Sequence, residues 1–184
     1  DRADGDVHAM GNPHVHLDPR RMITISQQLA ERFATLDPEN AERYRQQQQA
    51  WQATFEPKVA TWKQQASGLK DLKVISYHRT WAYLLDWLEM SRVDELEPKP
   101  GLPPTPGHLA NLVDKAEKEQ VRLILYQPIN GDKAPDWLAS RTAACAVKLP
   151  FSPGEEGTDT LASLYNTLIQ RLVNAQASCK GDNP

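Results

Sequence analysis

The chain has 184 residues, 40% hydrophobic and 24% charged, enough for a well-buried core and ordinary for a globular protein. Its formal net charge is −3 and no basic run exceeds Arg20-Arg21, so the electrostatic footprint expected of a nucleic-acid or anionic-membrane binder is absent. No stretch of 18 apolar residues spans a bilayer and no signal peptide is visible, while Asp rather than Met opens the chain, which sets the expectation of a mature or trimmed product.

The first chemistry-bearing segment is Gly11-Asn12-Pro13-His14-Val15-His16-Leu17-Asp18-Pro19. Each proline fixes its own φ and pushes the residue before it out of the helical region, so Asn12 and Asp18 are expected to be extended. An extended 13–17 stretch puts His14 and His16 on one face. Neutral imidazole is the commonest protein ligand for zinc and related metals, whereas the plainer alternative is two polar loop histidines.

From Pro19 to Leu36 the apolar residues Met22, Ile25, Leu29, Phe33 and Leu36 recur at helical spacing. Asp37-Pro38 ends that helix and starts another, with Asp37 as cap and Pro38 at the first helical position. The second helix is expected to reach about residue 67, on the order of 45 Å, with a kink at Pro57. Its Gln46–Gln49 run reads as a solvated face.

After Gly68 the pattern alternates. Strands are predicted over 72–77, 93–96, 121–126 and 145–149, separated by helices over 79–89, 107–119 and 134–140. Strand and helix in alternation make a parallel sheet with right-handed crossovers, an α/β fold. A final helix from Asp159 to about 177 carries Leu161, Leu164, Tyr165, Leu168, Ile169 and Leu172 on one side and is expected to pack on the sheet. The five tryptophans fit helix faces and read as packing residues, the proline-rich 97–106 run as a stiff strand-to-helix loop, and His108 as an exposed residue of a first helical turn.

His78 stands where the strand ending Val74-Ile75-Ser76-Tyr77 meets the helix that follows, and in open α/β sheets ligands bind at the carboxyl ends of strands. With the Asn-Pro-His segment, the proline-rich run and Glu156-Gly157-Thr158-Asp159-Thr160-Leu161, the order of motifs resembles the cluster nine solute-binding proteins, extracytoplasmic zinc or manganese receptors of ABC uptake transporters. The resemblance covers nearly the whole chain, from about Asp6.

The resemblance implies metal ligands at His14, His78 and Asp159. Family members take a further histidine from an amino-terminal lobe that has no counterpart here, and usually carry an aromatic residue where His16 stands. His16 and His8 are therefore further candidates, and Glu155 or Glu156 is an alternative to Asp159. A histidine rather than a glutamate at position 78 favours Zn2+, with Mn2+ as the alternative. The implied partner is a membrane ABC permease and the implied location periplasmic. The implied layout is a remnant of the first lobe over 1–36, a long connecting helix over 37–68 and a carboxy-terminal parallel-sheet lobe over 69–184. A lobe so reduced is expected to leave an apolar face exposed, covered by self-association or by a cleaved amino-terminal piece.

Some zinc receptors of the family carry a carboxy-lobe disulfide near the positions of Cys145 and Cys179, and pairing them closes a long loop and ties down the tail, against the alternative of two reduced thiols. Two competing functions use the same residues. A zinc-dependent hydrolase holds its metal with two histidines and an aspartate and leaves one position open for water, but the sequence offers no His-Glu-x-x-His or comparable general-base motif. A metal-receptor-like surface adhesin is the other, on which no residue bears.

Overall fold

The computed structural model describes residues 11–155 and 157–179. Helix α1, Pro19–Leu36, starts behind Asp18, an extended, buried residue whose carboxylate accepts from Arg20 N at 2.9 Å and, two-pronged, from the Arg20 guanidinium. One 3-10 turn, Pro38–Asn40, separates it from α2, Ala41–Gln65. Asp37 does not cap α2 directly as the sequence suggests. Its carboxylate instead accepts from Asn40 Nδ2 at 2.9 Å and Tyr44 Oη at 2.8 Å, which brace the turn. Helix α2 continues past Pro57 as one helix.

Ala30 and Ala34 are the buried side of α1, small residues that let it lie close to α2, and the pair is tied by the Arg45–Glu31 ion pair at 2.8 Å. Leu29, Phe33 and Leu36 are 50, 44 and 63% exposed. An apolar strip of α1 is thus uncovered among the described residues.

Four strands follow: Lys73–Ser76 (β1), Ser91–Glu95 (β2), Leu123–Tyr126 (β3) and Cys145–Lys148 (β4). They form one parallel sheet in the order β2-β1-β3-β4, with Ile75 opposite Ile124 and Leu123 opposite Cys145. The connecting helices are α3, Ala82–Leu88; α4, Pro106–Lys118; and α5, Lys133–Ala139. Alternation along the strands divides the core. Val74, Leu123, Leu125 and Val147 pack with residues of α2, α3 and α6 (Leu161–Ser178), while Ile75 and Ile124 pack with Leu112, Ala116 and Leu138 of α4 and α5. The sheet is sandwiched between helices, the architecture the alternating pattern predicts.

Helix α6 buries Leu164, Tyr165, Leu168, Ile169 and Leu172, each contributing on the order of 2 kcal/mol of apolar burial. It begins at Leu161 rather than Asp159, because Thr160 is the cap: its hydroxyl accepts from Ser163 N at 3.1 Å and Ser163 Oγ accepts from Thr160 N at 2.9 Å. The Cys145–Cys179 disulfide, with Cα atoms 6.1 Å apart, ties the end of α6 to β4. Trp62, Trp81 and Trp87 are core residues, and Trp51 stacks on Phe55 with ring centres 4.4 Å apart. Trp137 departs from that expectation. It is 37% exposed, with the Arg141 guanidinium 5.5 Å from its ring centre.

The topology sets the site. β1 leads through α3 to β2 on one side of it and then, through α4, to β3 on the other, so the strand order reverses between β1 and β3. A crevice outside the carboxyl ends of these two strands is where this class of sheet binds ligands.

Candidate metal centre

Three separate stretches converge on that crevice. The first is the amino-terminal histidine segment. Asn12 Oδ1 accepts from His14 N at 2.9 Å, and turn bonds from Leu17 N to His14 O (3.1 Å) and Asp18 N to Val15 O (3.2 Å) wind Val15–Leu17 into a 3-10 turn. The extended stretch expected over 13–17 is therefore replaced by a turn, because the asparagine side chain captures the backbone N–H two residues on. The segment is pinned from outside. Asn12 Nδ2 donates to Arg79 O at 3.2 Å, Tyr83 Oη donates to Asn12 O at 3.1 Å, and Tyr165 Oη of α6 donates to His16 O at 2.5 Å. Leu17 is fully buried beneath it.

The second stretch is the end of β1. Tyr77 N donates to Leu125 O at 2.7 Å, and His78 follows with extended backbone before the 3-10 turn Arg79–Trp81. Its Nδ1 lies 2.8 Å from Glu97 Oε2, with the two side chains 18 and 12% exposed. Burial, reinforced by the Glu97 charge, raises the nearby Tyr77 hydroxyl above its usual range. The third stretch is the loop after β4, where Phe151 presents its ring.

His14, His16, His78 and Phe151 form a line of edge-to-face rings. His14 lies 6.3 Å from His78 and 5.4 Å from Phe151, and His16 lies 4.9 Å from Phe151, measured between ring centres. His14 and His16 thus meet one partner despite the turn between them. The partners decide tautomers, since a carbonyl or carboxylate only accepts. His16 donates from Nε2 to Phe151 O at 2.9 Å, while His78 donates from Nδ1 to Glu97.

The described acidic candidates, Glu155 and Asp159, follow Phe151 in the loop between β4 and α6. Asp159 is exposed, one residue beyond the fully buried Thr158. Thr158 knits the loop by donating from Oγ1 to Ser152 O (3.1 Å) and Glu155 O (2.6 Å). Glu155 is engaged within the same loop, accepting from Phe151 N at 3.0 Å and Ser152 Oγ at 3.2 Å. Glu156 and His8 lie outside the described residues. Among the described residues no three His, Cys, Asp or Glu side chains are gathered into a metal cluster. His108 is half-buried, not exposed as its position in a first helical turn suggests, and its Nε2 donates to Glu95 O at 2.9 Å. A cleft of about 430 Å³, lined by Gln127, Pro128, Ile129, Phe151 and Glu155, opens beside the rings at the end of β3.

Phe151 and Glu97 are the contributors that sequence reasoning missed. A signal existed for Glu97, an acidic residue just beyond a strand that neighbours the strand of His78. Nothing local marks Phe151.

A family model described as ZnuA, zinc-uptake complex component A, periplasmic, matches residues 1–178. No curated protein matches. Among solved structures the fold is similar to the solute-binding protein FpvC from Pseudomonas aeruginosa in complex with Mn2+, with TM-score 0.78 and 21% identity over 92% of this chain and 62% of that one. It is similar to a crystal structure of ZnuA, with TM-score 0.76 and 23% identity over 94% of this chain and 62% of that one. It is also similar to a Cd-bound periplasmic metal binding protein from Candidatus Liberibacter asiaticus, with TM-score 0.75 and 15% identity over 90 and 64%. The chain spans a little under two thirds of the length of these proteins, and at such identities the likeness is one of fold.

Proposed function

This chain belongs to the zinc-uptake complex component A family, and from that premise we propose that it is an extracytoplasmic receptor that captures zinc and delivers it to an ABC-type permease. The observation that carries the proposal is the pairing of His14 with His78 at the strand-order reversal. Two imidazoles on one tetrahedral zinc, with Zn–N about 2.0 to 2.1 Å, place their ring centres roughly 5 Å apart. The 6.3 Å separation is therefore about an ångström from a binding geometry.

His14 and His78 bind as neutral imidazoles, and Asp159 supplies the anion that offsets the dication. His16, His8 and Glu156 are candidates for the remaining position. Imidazole-rich donors favour zinc over manganese, which prefers carboxylates. Two of the solved structures named above carry Mn2+ and Cd2+, so the choice of ion is the first thing to measure. Among the described residues no helix is long and apolar enough to cross a membrane, which suits a receptor that meets a separate permease. The same reading divides the chain into a first-lobe remnant over 1–36, a connecting helix over 37–68 and a metal-binding lobe over 69–184, with the apolar strip of α1 covered by self-association or by an amino-terminal piece.

The test is zinc affinity by competition with a chromophoric chelator. His78→Ala is expected to weaken binding at least about tenfold, or about 1.4 kcal/mol, through loss of one direct ligand. Unchanged affinity refutes the assignment, and tighter binding of Mn2+ than of Zn2+ refutes the choice of metal.

A further inference from the structure

We propose that Glu97 is a positioning residue of the centre, holding His78 as the Nδ1–H tautomer so that Nε2 is the nitrogen offered to the metal. This rests on the proposed role of His78 as a ligand. The Nδ1···Oε2 distance of 2.8 Å is that of a charge-assisted bond, and both side chains are mostly shielded from water. A carboxylate only accepts, so the ring nitrogen facing it carries the hydrogen, and in a neutral imidazole the other nitrogen then bears the lone pair.

Glu97 is itself well anchored. Leu96 N donates to Ser76 O at 2.9 Å and Glu97 N to Tyr77 O at 3.2 Å, prolonging the β1–β2 ladder to the level of His78. The same Oε2 that takes His78 also accepts from Gly101 N at 3.2 Å, which ties the proline-rich loop to the histidine through one oxygen atom. The orientation of His78 is thus set by the neighbouring strand and its loop, outside the direct ligand set. Carboxylates behind metal-bound histidines fix ring orientation and raise ligand basicity, and their removal typically costs about 10- to 100-fold in metal affinity.

The two bonds to a single oxygen make the test selective. In Glu97→Gln one amide oxygen replaces Oε2 and accepts from both His78 and Gly101, yet an amide is a poor metal ligand. In Glu97→Ala the acceptor is gone. Zinc affinity is measured on the full chain, and the His78 tautomer is read by ¹⁵N NMR of the metal-free protein at about pH 8, where imidazole is neutral. Expected for Glu97→Ala is an affinity loss of about 10- to 100-fold and a shift of His78 toward Nε2–H. Expected for Glu97→Gln is retention of Nδ1–H and affinity within about fivefold of the parent, the cost of losing charge assistance. If Glu97→Ala misfolds by circular dichroism, Glu97→Asp, one methylene too short for the contact, takes its place with the same expectation.

An unchanged tautomer or unchanged affinity on removing the acceptor overturns the proposal. A loss in Glu97→Gln as large as in Glu97→Ala overturns it too, because Glu97 is then a direct ligand. Unaltered zinc binding by His78→Ala refutes the underlying receptor assignment, whereas loss in that variant with full affinity in Glu97→Ala refutes the positioning role alone.

Discussion

Breaking the Cys145–Cys179 bond separates the stability of this lobe from its metal chemistry. The cysteines are 34 positions apart, and closing a loop of that length removes unfolded-chain freedom worth about 4 kcal/mol at 25 °C. For a chain of this size each kcal/mol moves the melting temperature by about 2 to 4 °C, so reduction is expected to lower it by about 8 to 15 °C. The folded state keeps most of its contacts, because α6 remains docked through Leu164, Tyr165, Leu168, Ile169 and Leu172. The bond also sits at the far end of that helix from Thr160, and its 18 residues span about 27 Å. Zinc affinity of the reduced but folded protein should therefore stay within about twofold, as for uncoupled sites. Thermal unfolding followed by circular dichroism, with and without reductant, reads the first quantity, with thiol titration in denaturant to confirm the redox state. Chelator competition below the transition reads the second. A shift under about 3 °C with both thiols shown reduced refutes the loop-closure reasoning. A large loss of zinc affinity without unfolding refutes the separation of bond and site.

Tyr165→Phe removes the hydroxyl that donates to His16 O, and denaturant unfolding is expected to show a loss of about 1 to 2 kcal/mol together with weaker zinc binding; no change in either means that α6 does not hold the histidine segment. Hydrogen bonds from Lys63 and Lys70 hold the Glu89 carboxyl down at about 2, so its contribution is complete above the ordinary value of 4.5 and is lost as pH falls toward 2. The melting-temperature gap between the parent and Glu89→Gln should accordingly be present at pH 7 and close near pH 2, and a gap that widens in acid contradicts that sign. Replacing Leu29, Phe33 and Leu36 together with Gln is expected to leave stability within about 1 kcal/mol and to reduce association in sedimentation velocity. Association unaffected by the triple change places the contact elsewhere.

Much of the fold was legible because its signals are local. Helical spacing marks Pro19–Leu36, and apolar runs between turn residues mark all four strands to within two or three residues. The Asn-Pro-His segment and the strand-end His78 stand out for the same reason: each candidate is visible within a few residues of its own neighbours, and the structure brings the two rings to 6.3 Å. Local signals failed where a nearby side chain rewired a backbone. Asn12 turned an expected extended stretch into a 3-10 turn, and the Thr160–Ser163 capping box moved the start of α6 past Asp159.

What the sequence by itself determined is the alternation of strand and helix and the residue types able to ligate a metal. Only the tertiary structure decided which of them share a crevice and with what company. His78 meets Glu97 because β1 and β2 are neighbours, and the rings of His14 and His16 meet Phe151 because the order β2-β1-β3-β4 carries the loop after β4 to the same sheet end. The helical and strand periods repeat over a few residues and can be read along the chain. Strand adjacency is settled by the burial of both sheet faces at once, a balance among residues far apart in sequence that no single stretch contains.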